Sequence, residues 1–187
     1  MKILTKHSVF GFILGGLLIP ALFIAWIFIY FKYFDERPTH TKQPPQLFHV
    51  SELDYDWSVK NLDGEDIIVS DIFDDRVVFL NFWATWCGPC VYDMPEKQIF
   101  YDNFKDRIAF AFVSKEDTDK ISGFIEENGY SLPVFSCDSI PVEFNVSGIP
   151  AHFIISKGRK IKLYATGGGI DWNHESVTQF LEELIAE

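Results

Sequence analysis

Apolar and polar positions divide this chain into three stretches of different character. From Val9 to Phe31 the sequence runs 23 residues without a formal charge, dominated by Phe, Ile, Leu, Gly and Ala. At about 1.5 Å rise per helical residue, roughly 20 such residues cross the hydrocarbon layer of a bilayer. The pattern predicts a short N-terminal segment over 1–8 and a transmembrane anchor, embedded in the lipid bilayer, over 9–34. Trp26, Tyr30 and Tyr33 lie near its far end, where amphipathic rings favour the interface. A cleaved signal peptide would have an apolar region of about 7–15 residues ending in an Ala-x-Ala-like site. This run is longer, Ala21 and Ala25 are spaced wrongly for that site, and no cysteine beside it offers a lipoprotein anchor. Lys2, Lys6 and the amino terminus precede the span, while Lys32 and Arg37 follow it. The balance favours a cytoplasmic N-terminus and a single-pass protein of the cytoplasmic membrane, its C-terminal domain facing the periplasm or cell exterior.

A polar stretch over 35–50, with Pro38, Pro44 and Pro45, reads as an extended tether. The pattern then changes to alternating strand-like and helix-like segments over 51–187. Asp54–Asn61 and Glu65–Ser70 flank Leu62-Asp63-Gly64, a turn sequence that predicts an N-terminal hairpin. Arg76–Ala84 is an apolar run suited to a buried central strand. Cys87–Phe104 has helical spacing, with Met94, Gln98, Tyr101 and Lys105 drifting along one side. Ile108–Ser114 reads as a strand, Thr118–Asn128 as an amphipathic helix ended by Gly129, and Pro133–Cys137 as a short strand. A second hairpin joins Ala151–Ser156 to Arg159–Ala165 through Lys157-Gly158, and a last helix spans about Asn173 to Ala186. This order implies an α/β domain with a mixed central sheet and helices on both faces.

Charge narrows the function classes. The chain carries −11, of which residues 1–37 contribute +2 and residues 38–187 contribute −13. Such a surface argues against nucleic-acid binding, which needs a basic footprint.

The chemistry concentrates at Trp86-Cys87-Gly88-Pro89-Cys90, between the central strand and a helix. Two cysteines so spaced can close a small disulfide ring, and the helix N-terminus favours the Cys87 thiolate. Cys87 would attack a substrate disulfide, and Cys90, one turn inward, would resolve the mixed disulfide. Gly88 and Pro89 constrain the ring. The alternatives are a structural disulfide or half of a zinc site. Zinc needs four ligands, and only Cys137 and scattered histidines remain, so no metal is expected. Asp93 follows Cys90 by three residues on the same helical side, where a carboxyl could repel the thiolate or shuttle its proton. The alternative is a solvated helix carboxylate. Cys137, the odd thiol, reads as a buried free cysteine, with a regulatory or intermolecular disulfide as the other possibility. His152 reads as a hydrogen-bonded structural histidine. Gly167-Gly168-Gly169 reads as a loop, because it lacks the lysine and helix of a phosphate site.

The run Asn81-Phe82-Trp83-Ala84-Thr85-Trp86-Cys87-Gly88-Pro89-Cys90 resembles the active-site segment of the thioredoxin superfamily. More narrowly, it is similar to the membrane-anchored, extracytoplasmic thiol–disulfide oxidoreductases of the cytochrome c biogenesis type. The Asn61-Leu62-Asp63-Gly64 turn, Asp71 and the Asp93-Met94-Pro95 sequel share in that likeness, and Gly148-Ile149-Pro150 matches the family's cis-proline loop. The resemblance implies a thioredoxin fold over about 52–187, a cis Pro150 facing the disulfide, and an Ile149 backbone open to a substrate chain. Trp86 is then substrate-facing and Trp83 packing. Asn81 stands where thioredoxin has a buried aspartate, so that second proton relay is absent. Pro95 is expected to kink the helix.

Together these readings predict a membrane-tethered protein-disulfide oxidoreductase without a cofactor, acting chiefly as a reductant. Its partners would be oxidised exported proteins, apocytochrome c haem-binding cysteines among them, and a transmembrane thiol-electron donor. The competing readings are a haem- or metal-handling assembly chaperone, and a disulfide oxidase or isomerase.

Overall fold

The computed structural model describes residues 57–187; the expectations for 1–8, 9–34 and 35–50, and residues 51–56, lie outside the described residues. Among the described residues no helix is long and apolar enough to cross a membrane. The elements run β1 (Ser58–Lys60), β2 (Asp66–Ile68), α1 (Val69–Phe73), β3 (Val78–Trp83), α2 (Gly88–Tyr92), α3 (Met94–Phe104), β4 (Ala109–Ser114) and α4 (Thr118–Asn128). They continue with β5 (Val134–Ser136), a 3-10 turn (Val142–Phe144), β6 (Ala151–Ile155), β7 (Ile161–Thr166) and α5 (Glu175–Ala186). One seven-stranded sheet takes the order β2-β1-β5-β4-β3-β6-β7. β3 pairs parallel with β4 and antiparallel with β6, which makes the sheet mixed.

Alternation along β3 sends its side chains to two cores. Phe79 and Trp83 pack in one layer with Phe100 of α3, Ile121 of α4 and Leu181 of α5. Val78, Leu80 and Phe82 pack in the other with Val69 and Phe73 of α1 and Phe144. Both faces of β3 are therefore covered, which explains a run apolar at nearly every position rather than every second one.

The first hairpin is shorter than its sequence pattern. β2 ends at Ile68, and Val69 starts α1 while its N–H bonds the Trp57 carbonyl at 3.0 Å. α4 ends as its sequence predicts, because Gly129 adopts a left-handed φ of 68° that closes the last turn.

The helix expected over Cys87–Phe104 is two helices meeting at Asp93. Pro95 has no N–H to give the Val91 carbonyl, and the Asp93 N–H takes that acceptor instead. Pro95 thus sits in the first turn of α3, where a missing donor costs little. The buried face also differs from the expected stripe. It comprises Met94, Lys97, Phe100 and Phe104, whereas Lys105 is exposed and paired with Asp102. A lysine occupying a core position rotates the face by one residue relative to an apolar count.

Cys137 is buried and free. Burial pushes its thiol up to about 11, with Lys115 opposing and Asp138 adding to the shift.

Phe79 is fully buried, with ring centroids 4.8 Å from Trp172, 5.2 Å from Phe100 and 5.7 Å from Phe110. Phe79→Ala is expected to cost about 3–5 kcal/mol, the range for a truncated core aromatic. Urea unfolding of the oxidised protein, followed by tryptophan fluorescence, checks that value.

Candidate active site

The site forms where β3 hands the chain to α2. Just beyond β3, the Cys87 N–H bonds the Ala84 carbonyl at 3.1 Å and closes a tight turn. The turn is clamped from outside by Glu116, which follows β4. Its carboxylate accepts from the Thr85 N–H at 2.6 Å and from the Thr85 hydroxyl at 2.8 Å. Burial alone would raise the pKa of Glu116, but the hydrogen bonds from Lys120 and Thr85 bring it below the ordinary carboxylate value.

Cys87 is the N-cap of α2, and its Sγ accepts the Cys90 N–H at 3.3 Å. The two cysteines are joined by a disulfide with S–S 2.02 Å and Cα atoms 5.2 Å apart. Cys87 retains 5% exposure and Cys90 none, so the pair has an outer and an inner sulfur. Gly88 and Pro89 form the first helical turn between them. Trp86 is 70% exposed beside Cys87, whereas Trp83 is buried in the core.

Register brings Pro150 to the same end of the sheet. Ala151 pairs with Phe82, which puts Pro150 level with the close of β3. The Ile149–Pro150 peptide bond is cis, and Ile149 is partly buried against both cores. The Pro150 carbonyl accepts from the Gly167 N–H at 2.9 Å, drawing in the loop after β7.

Asp93 is not a solvated helix carboxylate. It is 2% exposed and accepts the Gly169 N–H at 3.1 and 2.9 Å through its two oxygens. Gly168 lies so close that a Cβ there would stand 3.0 Å from Asp93 Oδ2 and 3.2 Å from the Pro89 carbonyl. The glycine run is thus the cover over Asp93 and Pro89.

Beneath the disulfide lies a buried polar group. Asn81 Nδ2 donates to the Ala151 carbonyl and to His152 Nδ1, each at 3.0 Å. A donor facing Nδ1 leaves the ring proton on Nε2. Burial, then the charge of Lys97, pushes the His152 pKa well below its ordinary value, so the imidazole is neutral. Lys97 is fully buried, and its Nζ has no hydrogen-bond partner. Burial brings its pKa down to about 8 against the opposing pull of Asp93 and Glu96.

The structure therefore gathers Trp86, Cys87, Gly88, Pro89, Cys90, Asp93 and Pro150 at one end of the sheet. Sequence reasoning missed Lys97, Glu116 and the role of Gly168 and Gly169. Three successive glycines beside no tight turn were the one available signal. Among the described residues no set of His, Cys, Asp or Glu side chains could hold a metal ion.

Residues 53–164 match the AhpC/TSA family. The thiol-disulfide oxidoreductase ResA of Bacillus thuringiensis (strain Al Hakam) is 31% identical over 107 residues, 55% of this chain and 61% of that protein. The chain thus spans about three fifths of that relative's length. ResA of Bacillus thuringiensis subsp. konkukian is 31% identical over 130 residues, 67% of this chain and 73% of that protein. The crystal structure of a thiol:disulfide interchange protein of the thioredoxin family from Chlorobium tepidum superposes with a TM-score of 0.57 at 18% identity. It covers 76% of this chain and 99% of that one, and shows the fold alone.

Two expectations follow from the geometry. Gly168→Ala should lower stability by about 1–3 kcal/mol, the usual cost of an added methyl in a packed site, measured by urea unfolding of the oxidised protein. Lys97 binds its proton less tightly folded, at about 8, than a solvent-exposed lysine does at 10.5. Between those values the unfolded chain holds a proton on this lysine that the folded one lacks, so its own contribution to stability rises with pH across that window. The buried Cys137 thiol contributes the opposite slope from pH 9 upward in parent and variant alike, so unfolding midpoints should climb more, or fall less, with pH in the parent than in Lys97→Met.

Proposed function

We propose that this protein, which belongs to the AhpC/TSA family, is a thiol–disulfide oxidoreductase acting through Cys87 and Cys90. The observation that carries the reading is the disulfide itself, its outer sulfur at a helix N-cap and its inner sulfur sealed in the core. In the reduced pair, the helix N-terminus favours the Cys87 thiolate, which attacks a disulfide sulfur of the substrate. The substrate S–S bond breaks, one substrate thiolate leaves, and a mixed disulfide forms on Cys87. Cys90 then loses its proton, attacks Cys87 Sγ and releases the second substrate thiolate. Two electrons pass to the substrate and the Cys87–Cys90 bond returns. Asp93, covered by Gly168 and Gly169, is the carboxylate we place as acceptor of the Cys90 proton. Trp86 and the Ile149–Pro150 loop would form the rim against which the substrate chain lies.

The finer reading is a membrane-tethered reductant of exported proteins, with apocytochrome c haem-binding cysteines as candidate substrates. The uncharged run over 9–31 supports the tether, and the Gly88-Pro89 dipeptide supports the reducing direction. Electrons would come from a transmembrane thiol donor, because external compartments lack the cytosolic reducing pool.

Cys90→Ala, expressed as the full chain in cells, should accumulate mixed disulfides that disappear when Cys87 is also replaced by Ser. If no Cys87-dependent adducts form, the exchange reading is wrong. The potential of the parent pair should fall near thioredoxin's, about −270 mV; a value near DsbA's, about −120 mV, would make the protein an oxidant instead.

A further inference from the structure

Among the described residues only two formally charged side chains are buried, Asp93 and Lys97. They sit one turn apart, with the Lys97 N–H bonded to the Asp93 carbonyl at 3.0 Å. Cys90, Asp93 and Lys97 follow one another at helical spacings of three and four, so they share the inward face of α2 and α3. Side chains on a helix lean toward its N-terminus, the direction in which Asp93 and then Cys90 lie. The wall opposite is neutral. Asn81 of β3 alternates with Phe79 and Trp83, and His152 of β6 with Ile154, so both look onto the same core layer.

The two buried charges are not equally satisfied. Asp93 accepts the Gly169 N–H through both oxygens. Lys97 Nζ has no hydrogen-bond partner and makes no ion pair within 4.0 Å. A buried ammonium without an acceptor is costly, and an anion formed near it offsets part of that cost. On this face, opening the disulfide creates one new anion, the Cys90 sulfur.

We propose that Lys97 is a positioning residue of the redox site, whose buried ammonium stabilises the Cys90 thiolate formed when the disulfide opens. The proposal deepens the exchange reading and rests on it. In the resolving step Cys90 Sγ–H gives up its proton, the thiolate attacks Cys87 Sγ, the Cys87–substrate bond breaks, and the substrate sulfur leaves with the electron pair. Lys97 forms and breaks no bond; its charge lowers the free energy of the thiolate. The titratable groups that share its surroundings are Asp93 and Glu96, just before it along the chain, and His152 across the core. The first two oppose its effect on the sulfur, and the neutral His152 neither helps nor competes.

The test is the Cys90 titration in the full-length chain. Thiolate ultraviolet absorbance is followed against pH in Cys87→Ser, and the same curve in Cys87→Ser/Cys90→Ser is subtracted from it, which leaves Cys90 alone. Adding Lys97→Met or Lys97→Gln, whichever retains the parent's circular dichroism, should raise the Cys90 pKa by about one unit, a tenfold loss of thiolate below the midpoint. A lysine with a purely structural role would alter the urea midpoint and leave the Cys90 curve in place, and that result overturns the proposal. The exchange reading fails separately, through absence of Cys87-dependent adducts in a trap that leaves Lys97 untouched.

Discussion

The registers of three strand pairings determine where everything else in this site falls. β3 pairs parallel with β4, so both run out at the same end, Trp83 opposite Ser114. β6 pairs antiparallel with β3 and therefore begins at that end, with Ala151 opposite Phe82. β7 returns alongside β6 and finishes there too, Thr166 opposite Ala151. Four connections thus converge: the turn into Cys87, the segment carrying Glu116, the cis-proline loop and the glycine run. None of them is adjacent in sequence. A one-residue slip in any pairing would send the intended side chains to the opposite face of the sheet.

This dependence explains what was legible in the sequence and what was not. The Cys87–Cys90 motif and the apolar run of β3 are local patterns, and α4 carries its own stop at Gly129; each could be read from a short window. Lys97 could not. A lysine at its position within a helix reads as solvent-facing, and only the packing of α3 against the core shows that no solvent reaches it. The same holds for Asp93, whose hydrogen-bond donor, Gly169, lies 76 residues along the chain. The break between α2 and α3 lies between these cases. Pro95 announced an interruption, but whether it kinks one helix or opens a second depends on which donor the Val91 carbonyl finds.

The polar interior beneath the disulfide has a consistent logic. Asn81 can neither gain nor lose a proton, and its amide fixes the tautomer of His152. The imidazole is held neutral by burial and by Lys97. Two of the buried polar groups on that face are thereby removed from proton exchange, which leaves Asp93 and Lys97 as the groups that can answer a change at the sulfurs. Glu116 acts on the outer side of the same turn and belongs to a different balance, one between burial and hydrogen bonds from Thr85 and Lys120.

Cys137 shows what the fold does with a third sulfur. With its proton held until about 11, the fraction ionised near neutrality is on the order of one in ten thousand, since each pH unit below the midpoint costs a factor of ten. Thiol–disulfide exchange proceeds through the thiolate, so a buried, protonated cysteine is a poor nucleophile toward the Cys87–Cys90 bond. Packing thus acts as chemical insulation: an odd cysteine count coexists with one closed disulfide, and the third sulfur is kept in the form that does not exchange with it.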